Sequence, residues 1–385
     1  MNEELFDGCV TIDPTCQSEE VFKELAALPA CKGVILFADS NKKPIQFLTA
    51  ANIRRTARSR LNAQQSEQLT KTPNISEIAC NIFYVCCYND FESSITYYKT
   101  AKEIFPETYR KLVPKAKLNL VKINPSDDWP VFTYTSSPVL CGDEIVFGLF
   151  ANRKSAREFI HILQEAFSLC KRPDISQDPQ KARGCPYLQM ETCAGACVGK
   201  ISKTDYQKRI DQAIQAGRGE TDAIKISLCG EMERLSNSMQ FELACKVKKQ
   251  IELIELLDKP IYKWVGDLQR TSIMHVDLSA KVKIEGQRSK KQLFKAYLLS
   301  KGNVFQLGNF SIDTIDDLFI SAECYTKQKD ENKDVDLRSK LLSIFAVSLY
   351  RSKPSGIWLN CSGAYGLNFP NVSQLSKSIS EFFNL

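Results

Sequence analysis

The chain has 385 residues, of which 43% are hydrophobic and 25% charged; this balance is typical of a globular protein and excludes a disordered or fibrous one. Its net charge of +6 permits nucleic-acid binding without requiring it. No stretch approaches the roughly 18 consecutive apolar residues that span a bilayer, and the acidic start lacks the basic region of a signal peptide. We therefore predict a cytoplasmic protein with no membrane partner.

The first third of the chain is predicted to form a β-hairpin followed by an arginine-rich helix. The pattern indicates a helix over 20–30, a buried strand over 34–38, a second strand over 44–48 and a helix over 52–61. The last of these carries a cluster of arginines that can contact phosphates, namely Arg54, Arg55, Arg58 and Arg60. A solvated helix face is the alternative interpretation.

Alternating strand and helix patterns continue through the middle of the chain. We expect a strand over 79–88, helical structure over 91–113 interrupted at Pro106, and strands over 130–134 and 145–150. An apolar stripe at helical spacing over 155–169 then leads directly to Cys170.

Four cysteines, spaced C-x14-C-x7-C-x3-C, form the strongest chemical signal in the chain: Cys170, Cys185, Cys193 and Cys197. If 194–198 is helical, the last two sulfurs lie on one face. Four thiolates suit zinc or an iron–sulfur cluster. Zinc sites usually contain two close cysteine pairs and this set has one, so we favour [4Fe-4S], with structural zinc as the alternative. Ordinary buried cysteines are the remaining interpretation, since the chain has 15 cysteines.

The last part of the chain is predicted to be helical and then mixed. Helices are expected over 205–216, 222–236 and 239–257. A tail beginning near residue 262 should contain strands over 272–278, 294–300 and 304–307, with a turn at 301–303, followed by helices over 315–326 and 337–350. The overall fold class is α+β.

The cysteine-rich segment resembles that of the UvrC excinuclease subunit and its shorter relative Cho. The resemblance rests on Cys185-Pro-Tyr-Leu-Gln and on Cys193-Ala-Gly-Ala-Cys-Val-Gly, where Ala196 replaces the family's proline. It implies that the four cysteines hold an iron–sulfur cluster.

The segment from Phe241 resembles the UVR motif of the same family. Its sequence, FELACKVKKQI, implies a helical hairpin that pairs with a UvrB-like subunit through Phe241, Glu242, Ala244, Val247 and Ile251. Two-helix packing within the chain's own domain is the alternative.

The hairpin and arginine-rich helix resemble the layout of a GIY-YIG nuclease domain. The family's two tyrosines fall at Ile35 and Gln46, and its arginine falls at Thr56. Isoleucine and glutamine cannot transfer a proton, so no catalytic position is intact. The resemblance places a metal-binding glutamate among Glu92, Glu103 and Glu107, and Mg or Mn would be needed only if the nuclease were active.

These signals together predict four regions: a degenerate GIY-YIG-like domain over 20–115, a connecting region with the four-cysteine site over 116–220, a helical hairpin over 221–260 and an α+β tail over 262–385. The resemblance implies a DNA-repair protein that binds DNA or acts as a scaffold in nucleotide excision repair. One alternative is an active, divergent metal-dependent endonuclease, using Tyr84, Tyr88, Tyr97 or Tyr98. Another is a zinc-stabilised protein-interaction module.

Overall fold

The computed structural model describes residues 3–13, 23–62, 75–113, 118–138, 143–172, 174, 185–283, 290–327, 335–353, 355–363 and 366–384. Helices and small antiparallel sheets are mixed along the chain, so the α+β prediction is confirmed. Among these residues, no helix is both long and apolar enough to cross a bilayer.

The first sheet has the strand order β1-β4-β2-β3 and is antiparallel throughout. Its strands are β1 (Gly8–Thr11), β2 (Gly33–Ala38), β3 (Pro44–Ala50) and β4 (Asn81–Cys86). The predicted hairpin is β2 and β3, joined at the polar turn 39–43. The short edge strand β1 has no counterpart in the predictions.

Two helices cover the two faces of this sheet. Side chains alternate between faces along a strand, so Ile35 packs toward helix α1 (Ile53–Leu61), whereas Leu36 packs toward helix α2 (Asp90–Ile104). Helix α1 begins at Asn52, whose side chain accepts a hydrogen bond from the Arg55 amide at 2.9 Å. The short helix α3 (Tyr109–Leu112) follows the predicted break at Pro106.

The second sheet has the order β6-β5-β7-β8, again antiparallel. Its strands are β5 (Leu120–Ile123), β6 (Thr133–Thr135), β7 (Ile145–Gly148) and β8 (Gly266–Asp267). Helices α4 (Arg153–Ala166) and α6 (Lys203–Gly217) build the adjacent core with it. Strand β8 comes from the predicted tail, so the tail contributes a strand to this sheet.

A helical hairpin leads from this region to the tail. It consists of α7 (Asp222–Asn237) and α8 (Phe241–Glu255), which pack against each other, and α8 also contacts α4. The break between them lies at 238–240, close to the predicted position. Only Ile224, Ala244 and Ile254 are buried within the two helices.

The tail forms a third antiparallel sheet, of order β11-β10-β9-β12, with three helices. Its elements are β9 (Ser272–Lys283), β10 (Lys290–Ser300), β11 (Asn303–Phe310), α9 (Ile315–Lys327), α10 (Val335–Leu349), β12 (Ile357–Asn360) and α11 (Val372–Phe383), with a small ribbon of β13 (Ser362–Gly363) and β14 (Gly366–Leu367). The predicted turn at Lys301–Gly302 is confirmed, and both residues have positive φ.

One apolar cluster joins helix α2 to the second sheet and the tail. It contains Phe91 and Ile95 of α2, Leu120 of β5, Leu299 of β10 and Phe345 of α10. Polar contacts across the same boundary include Asn89 Nδ2 donating to the Leu278 carbonyl at 2.9 Å. The predicted boundaries at 115, 220 and 262 stay predictions, but α2, the second sheet and the tail share buried side chains.

One predicted element is shorter than expected. Residues 20–22 of the helix predicted over 20–30 lie outside the described residues. Residues 23 and 24 are α-helical, and Leu25–Ala27 continues them as a 3₁₀ turn. The helix ends before residue 30 because Leu28 precedes Pro29, and a residue before proline is driven to an extended conformation; the φ and ψ of Leu28 are −65° and 143°.

Candidate functional site

Three separate segments bring the four cysteines into one region. Cys170 follows α4, Cys185 precedes the short helix α5 (Pro186–Gln189), and Cys193 and Cys197 lie in the loop after it. A hydrogen bond from Ala194 N to Ser168 O at 2.8 Å, and Lys171 Nζ lying 5.0 Å from the centre of the Tyr187 ring, hold these segments together. Cys170 N also donates to Tyr206 Oη on α6 at 3.2 Å, and Cys170 Sγ donates locally to the Arg172 carbonyl at 3.5 Å.

A small cavity lies between the thiols. Cys170, Cys193 and Cys197 line it together with Trp129 and Tyr206, whose rings meet edge to face at 5.8 Å. Cys185 is buried beside Cys197 and Leu188. The four predicted cysteines therefore lie in one neighbourhood. The rings of Trp129, in the segment before β6, and Tyr206, on α6, form one wall of the cavity.

Burial and mutual repulsion act on these thiols. Burial raises the pKa of Cys170 above its ordinary value, its hydrogen bond to the Arg172 carbonyl opposes this, and the nearby Cys193, Cys197 and Cys185 raise it further. Burial likewise raises the pKa of Cys197, with Cys193 adding to the effect. Four thiolates in this place would repel one another, so the deprotonated set requires positive charge, such as that of a bound metal.

The expectation that Cys193 and Cys197 lie on one helical face is wrong. Gly195 has a φ of +67°, in the left-handed region, and only Ala196–Val198 forms a 3₁₀ turn. The chain therefore bends between the two cysteines. A Cβ atom at Gly195 would lie 3.0 Å from side-chain atoms of Leu188 and Lys200. Glycine is therefore favoured here for two reasons: it adopts the positive φ of the turn, and it leaves room for these two neighbouring side chains.

The four sulfurs do not converge on a single point. In the part of the chain that the structure describes, no three histidine, cysteine or acidic side chains are arranged to hold one metal ion. Tetrahedral zinc with Zn–S bonds of about 2.3 Å would bring its thiolates to about 3.8 Å from each other. Cys170, Cys193 and Cys197 instead line the small cavity, with Cys185 buried beside Cys197.

The positions to which the GIY-YIG resemblance assigns the catalytic groups lie on and beside the first sheet. Ile35 is fully buried and lies opposite Leu48 on β3 and Tyr84 on β4, while Gln46 lies opposite Phe37. These residues face α1, which carries Thr56. The Gln46 Oε1 atom is buried with no hydrogen-bond partner in the described residues. This face of the first sheet is mostly apolar.

The four arginines lie on the outer side of this same unit. The Arg54 Nε atom donates to the Leu28 carbonyl at 2.7 Å, which holds that side chain against the domain. Arg55 and Arg58 are exposed, and Arg60 is half-buried. None of the four forms an ion pair with a carboxylate among the residues that are described, so their charge faces solvent.

The three candidate metal glutamates have different surroundings. Glu92 is 8% exposed, forms an ion pair with Lys295 of β10, and accepts a hydrogen bond from Tyr88 N at 2.8 Å. Glu103 and Glu107 are exposed. Glu92 therefore serves the contact between the first and third sheets, a role that the sequence did not indicate because its partner lies 203 residues away.

The residues predicted to bind a partner differ in exposure. Phe241 is 64% exposed and Glu242 is also exposed, whereas Ala244 is buried and Val247 and Ile251 are half-buried. The prediction omitted further exposed apolar side chains of the hairpin: Ile226, Met239 and Leu243. These three side chains lie outside the apolar stripe at helical spacing from which the predicted partner-binding residues were selected.

Residues 120–216, which contain all four cysteines, match the UvrC/Cho excinuclease middle domain. Similar curated proteins are each named UvrABC system protein C. Those of Caldicellulosiruptor saccharolyticus and Pediococcus pentosaceus are 28% identical over 235 and 239 residues, covering 60% and 62% of this chain and 39% of each relative. That of Limosilactobacillus reuteri is 25% identical over 248 residues, covering 62% of this chain and 38% of the relative.

The chain thus spans about two fifths of the length of the curated relatives that it matches. No solved structure matches it.

Proposed function

We propose that this protein is a UvrC-like component of nucleotide excision repair that binds DNA and a UvrB-like subunit without cleaving DNA through its GIY-YIG-type domain. The observation that carries the proposal is that all four cysteines fall within the matched middle-domain segment, with three of them lining one cavity and Cys185 buried beside Cys197. The relatives' names, each a UvrABC system protein C, support the repair context.

The cofactor we propose is a [4Fe-4S] cluster held by Cys170, Cys185, Cys193 and Cys197. The single close cysteine pair in the spacing and the enclosed position beside Trp129 and Tyr206 support a cluster over a single zinc ion. Such a group would supply a structural cross-link between segments that are distant in sequence. The chain's own part is to exclude water with the two rings and to fix the loop by the hydrogen bond between Ala194 N and Ser168 O.

Replacing Cys193 with serine tests the cluster. We expect anaerobically purified protein to contain about four irons and four sulfides per chain and to show a broad absorption band at about 400 nm. The variant should lose most of the iron, the sulfide and the band. Cys229→Ser is the matched control, because Cys229 is exposed on the hairpin, and it should leave iron content unchanged. Stoichiometric zinc without colour would replace the cluster by a zinc site, and absence of both metals would contradict the proposal.

The side chains of the first sheet support the proposed lack of nuclease chemistry. Proton transfer from an attacking water or hydroxyl needs a titratable group at the reacting phosphate, and the side chains at the family positions, Ile35 and Gln46, have none. The contact with DNA would then come from the exposed Arg55 and Arg58, which can neutralise phosphate charge without any catalytic role.

A second candidate, a divergent endonuclease, is favoured by one contact. Tyr84 lies directly opposite Ile35, so a tyrosine reaches the same face of the sheet from another strand. Burial is the main cause that raises the pKa of its hydroxyl, which opposes its use as a base.

A nicking assay on damaged plasmid with Mg²⁺ or Mn²⁺ separates these two functions. We expect no nicking by this chain, alone or with a UvrB-like subunit. Nicking that disappears in Tyr84→Phe and persists in Tyr97→Phe would establish the enzyme instead, since Tyr97 stacks on Phe47 on the opposite face. Nicking that survives both changes would point to chemistry elsewhere in the chain.

The partner surface we propose is the exposed apolar side of the α7–α8 hairpin. Met239, Phe241 and Leu243 present large apolar side chains to solvent at and just after the break between the two helices, and such exposed apolar groups often mark an interaction site. Replacing Phe241 with alanine should weaken binding of a UvrB-like subunit by about tenfold or more, as for an interfacial aromatic anchor, with no loss of thermal stability.

Titration calorimetry with the UvrB-like subunit measures this effect. Ile320→Ala is the control, because Ile320 is 62% exposed on α9 in the tail and should not change affinity. Equal affinity of the Phe241 variant and the unmodified protein would argue that the hairpin packs only within its own chain.

A further inference from the structure

A wide polar groove separates the second sheet from the tail sheet. Its volume is about 1210 Å³, which exceeds the roughly 300–1,000 Å³ of typical small-molecule sites. It runs from the end of α6 across β8 to the β10–β11 turn and the end of α9. The groove is also open to solvent along its length, so its shape suits an extended chain better than a compact ligand.

The lining of the groove carries more positive than negative charge. Five lysines and arginines line it, against three acidic residues. One of the acids, Asp267, is buried and accepts two hydrogen bonds from Arg218, from Nε at 3.1 Å and Nη2 at 2.9 Å. That pair lies at the floor, so its charges cancel locally and do not attract a ligand.

Two lysines of the groove have no carboxylate partner among the described residues. Lys301 Nζ donates to the Thr326 carbonyl at 2.9 Å, and Lys263 Nζ lies 4.9 Å from the centre of the Trp264 ring. Arg270 is a third exposed cation, whose guanidinium lies 3.6 Å from the Glu220 carboxylate and 3.9 Å from the Asp267 carboxylate; surface pairs of this kind contribute little. Lys301 belongs to the β10–β11 turn, whereas Lys263 and Arg270 flank β8, and all three line the groove or its wall where an anion could meet them.

The remaining lining residues suit a sugar–phosphate chain. Hydroxyl and amide groups from Thr271, Asn360, Ser362 and Asn368 line the groove, and such groups make many of the contacts to phosphate and sugar in nucleic-acid complexes. Trp264 is half-buried at the wall. An indole ring beside cations is the platform on which proteins stack unpaired bases.

We propose that this groove binds a single strand of nucleic acid, with phosphates against Lys301, Arg270 and Lys263 and a base on Trp264. A duplex fits less well, since its base faces are already stacked inside the helix. The site is distinct from the arginine helix: α1 packs on the face of the first sheet opposite α2, while α2 contacts the tail. The inference therefore extends beyond the DNA contact proposed above and does not require it.

Fluorescence anisotropy with a labelled oligo(dT) of about 12 nucleotides, within the usual site size of such grooves, tests the proposal. The combined change Lys301→Glu and Arg270→Glu should weaken binding at least about tenfold and flatten the dependence of log affinity on log salt by about 0.7 for each contact removed. Trp264→Ala should weaken binding about fivefold or more, whereas Trp264→Phe should retain most of it.

Matched controls keep the result interpretable. Lys283→Glu changes a lysine at the far end of β9 from the groove, and it should leave affinity unchanged. The double change Arg55→Glu and Arg58→Glu should weaken duplex binding and leave oligo(dT) binding unchanged. The proposed DNA contact at α1 and the proposed groove are therefore tested by different measurements. Unchanged oligo(dT) affinity in the folded Lys301/Arg270 and Trp264 variants overturns the proposal, as does equal competition by poly-glutamate.

Discussion

Replacing Lys295 with methionine is expected to lower the free energy of unfolding by about 3–5 kcal/mol, because it leaves the buried Glu92 carboxylate without its partner. Both side chains are nearly buried, with exposed fractions of 12% and 10%. The pair also crosses from α2 to β10, so the loss falls on the contact between the first sheet and the tail. Urea unfolding followed by circular dichroism measures the difference.

The control lies on the same strand. Lys291 pairs with Asp313 at the surface, where Asp313 is 74% exposed, and Lys291→Met should cost no more than about 1 kcal/mol. Adding Glu92→Gln to Lys295→Met should recover much of the lost stability, since the amide still accepts the hydrogen bond from Tyr88 N without a buried charge. Equal effects of the Lys291 and Lys295 changes would show that the buried pair does not hold the two sheets together.

Replacing Phe159 with alanine is expected to cost about 3–5 kcal/mol of stability, as for other large aromatic deletions in packed cores. Phe159 is buried on α4, with its ring centre 5.1 Å from that of Phe150 and 5.8 Å from that of Tyr262. Since α4 leads directly to Cys170, we also expect the variant to retain less iron than the unmodified protein. Thermal melting and iron analysis on the same samples measure both effects.

Phe382→Ala provides the comparison, because Phe382 is 43% exposed on α11 and its removal should change the melting temperature by a few degrees at most. A Phe159 variant that melts normally would contradict the packing argument. A destabilised variant with full iron content would show that the cysteine site does not depend on the position of α4.

Local patterns were enough to predict much of the fold. The hairpin of β2 and β3 follows from a buried apolar run, a polar turn and a second alternating run, and α1 follows from its Asn52 cap. The helical hairpin was equally clear from its apolar periodicity. In contrast, β1 and β8 are short strands whose existence depends on pairing with β4 and β7, and no local pattern specifies such a partner.

The site was predicted unevenly for similar reasons. Cysteine spacing selected four thiols that the structure brings into one neighbourhood. The spacing did not identify Trp129 or Tyr206. These two residues line the cavity only because the fold brings the segment before β6 and helix α6 next to Cys170. The helical geometry expected for Cys193 and Cys197 was wrong because Gly195 adopts a left-handed conformation, which its neighbours in sequence permit but do not require.

The apolar cluster that joins α2 to the second sheet and the tail bears on how the protein can be divided. Strand β8 completes the second sheet, and Leu299 and Phe345 of the tail fill space beside Phe91 and Leu120. A fragment that ends before residue 262 would therefore expose an unpaired strand edge and a large apolar surface, both of which promote aggregation. Although the matched family segment covers only residues 120–216, the tail beyond it is needed to shield it.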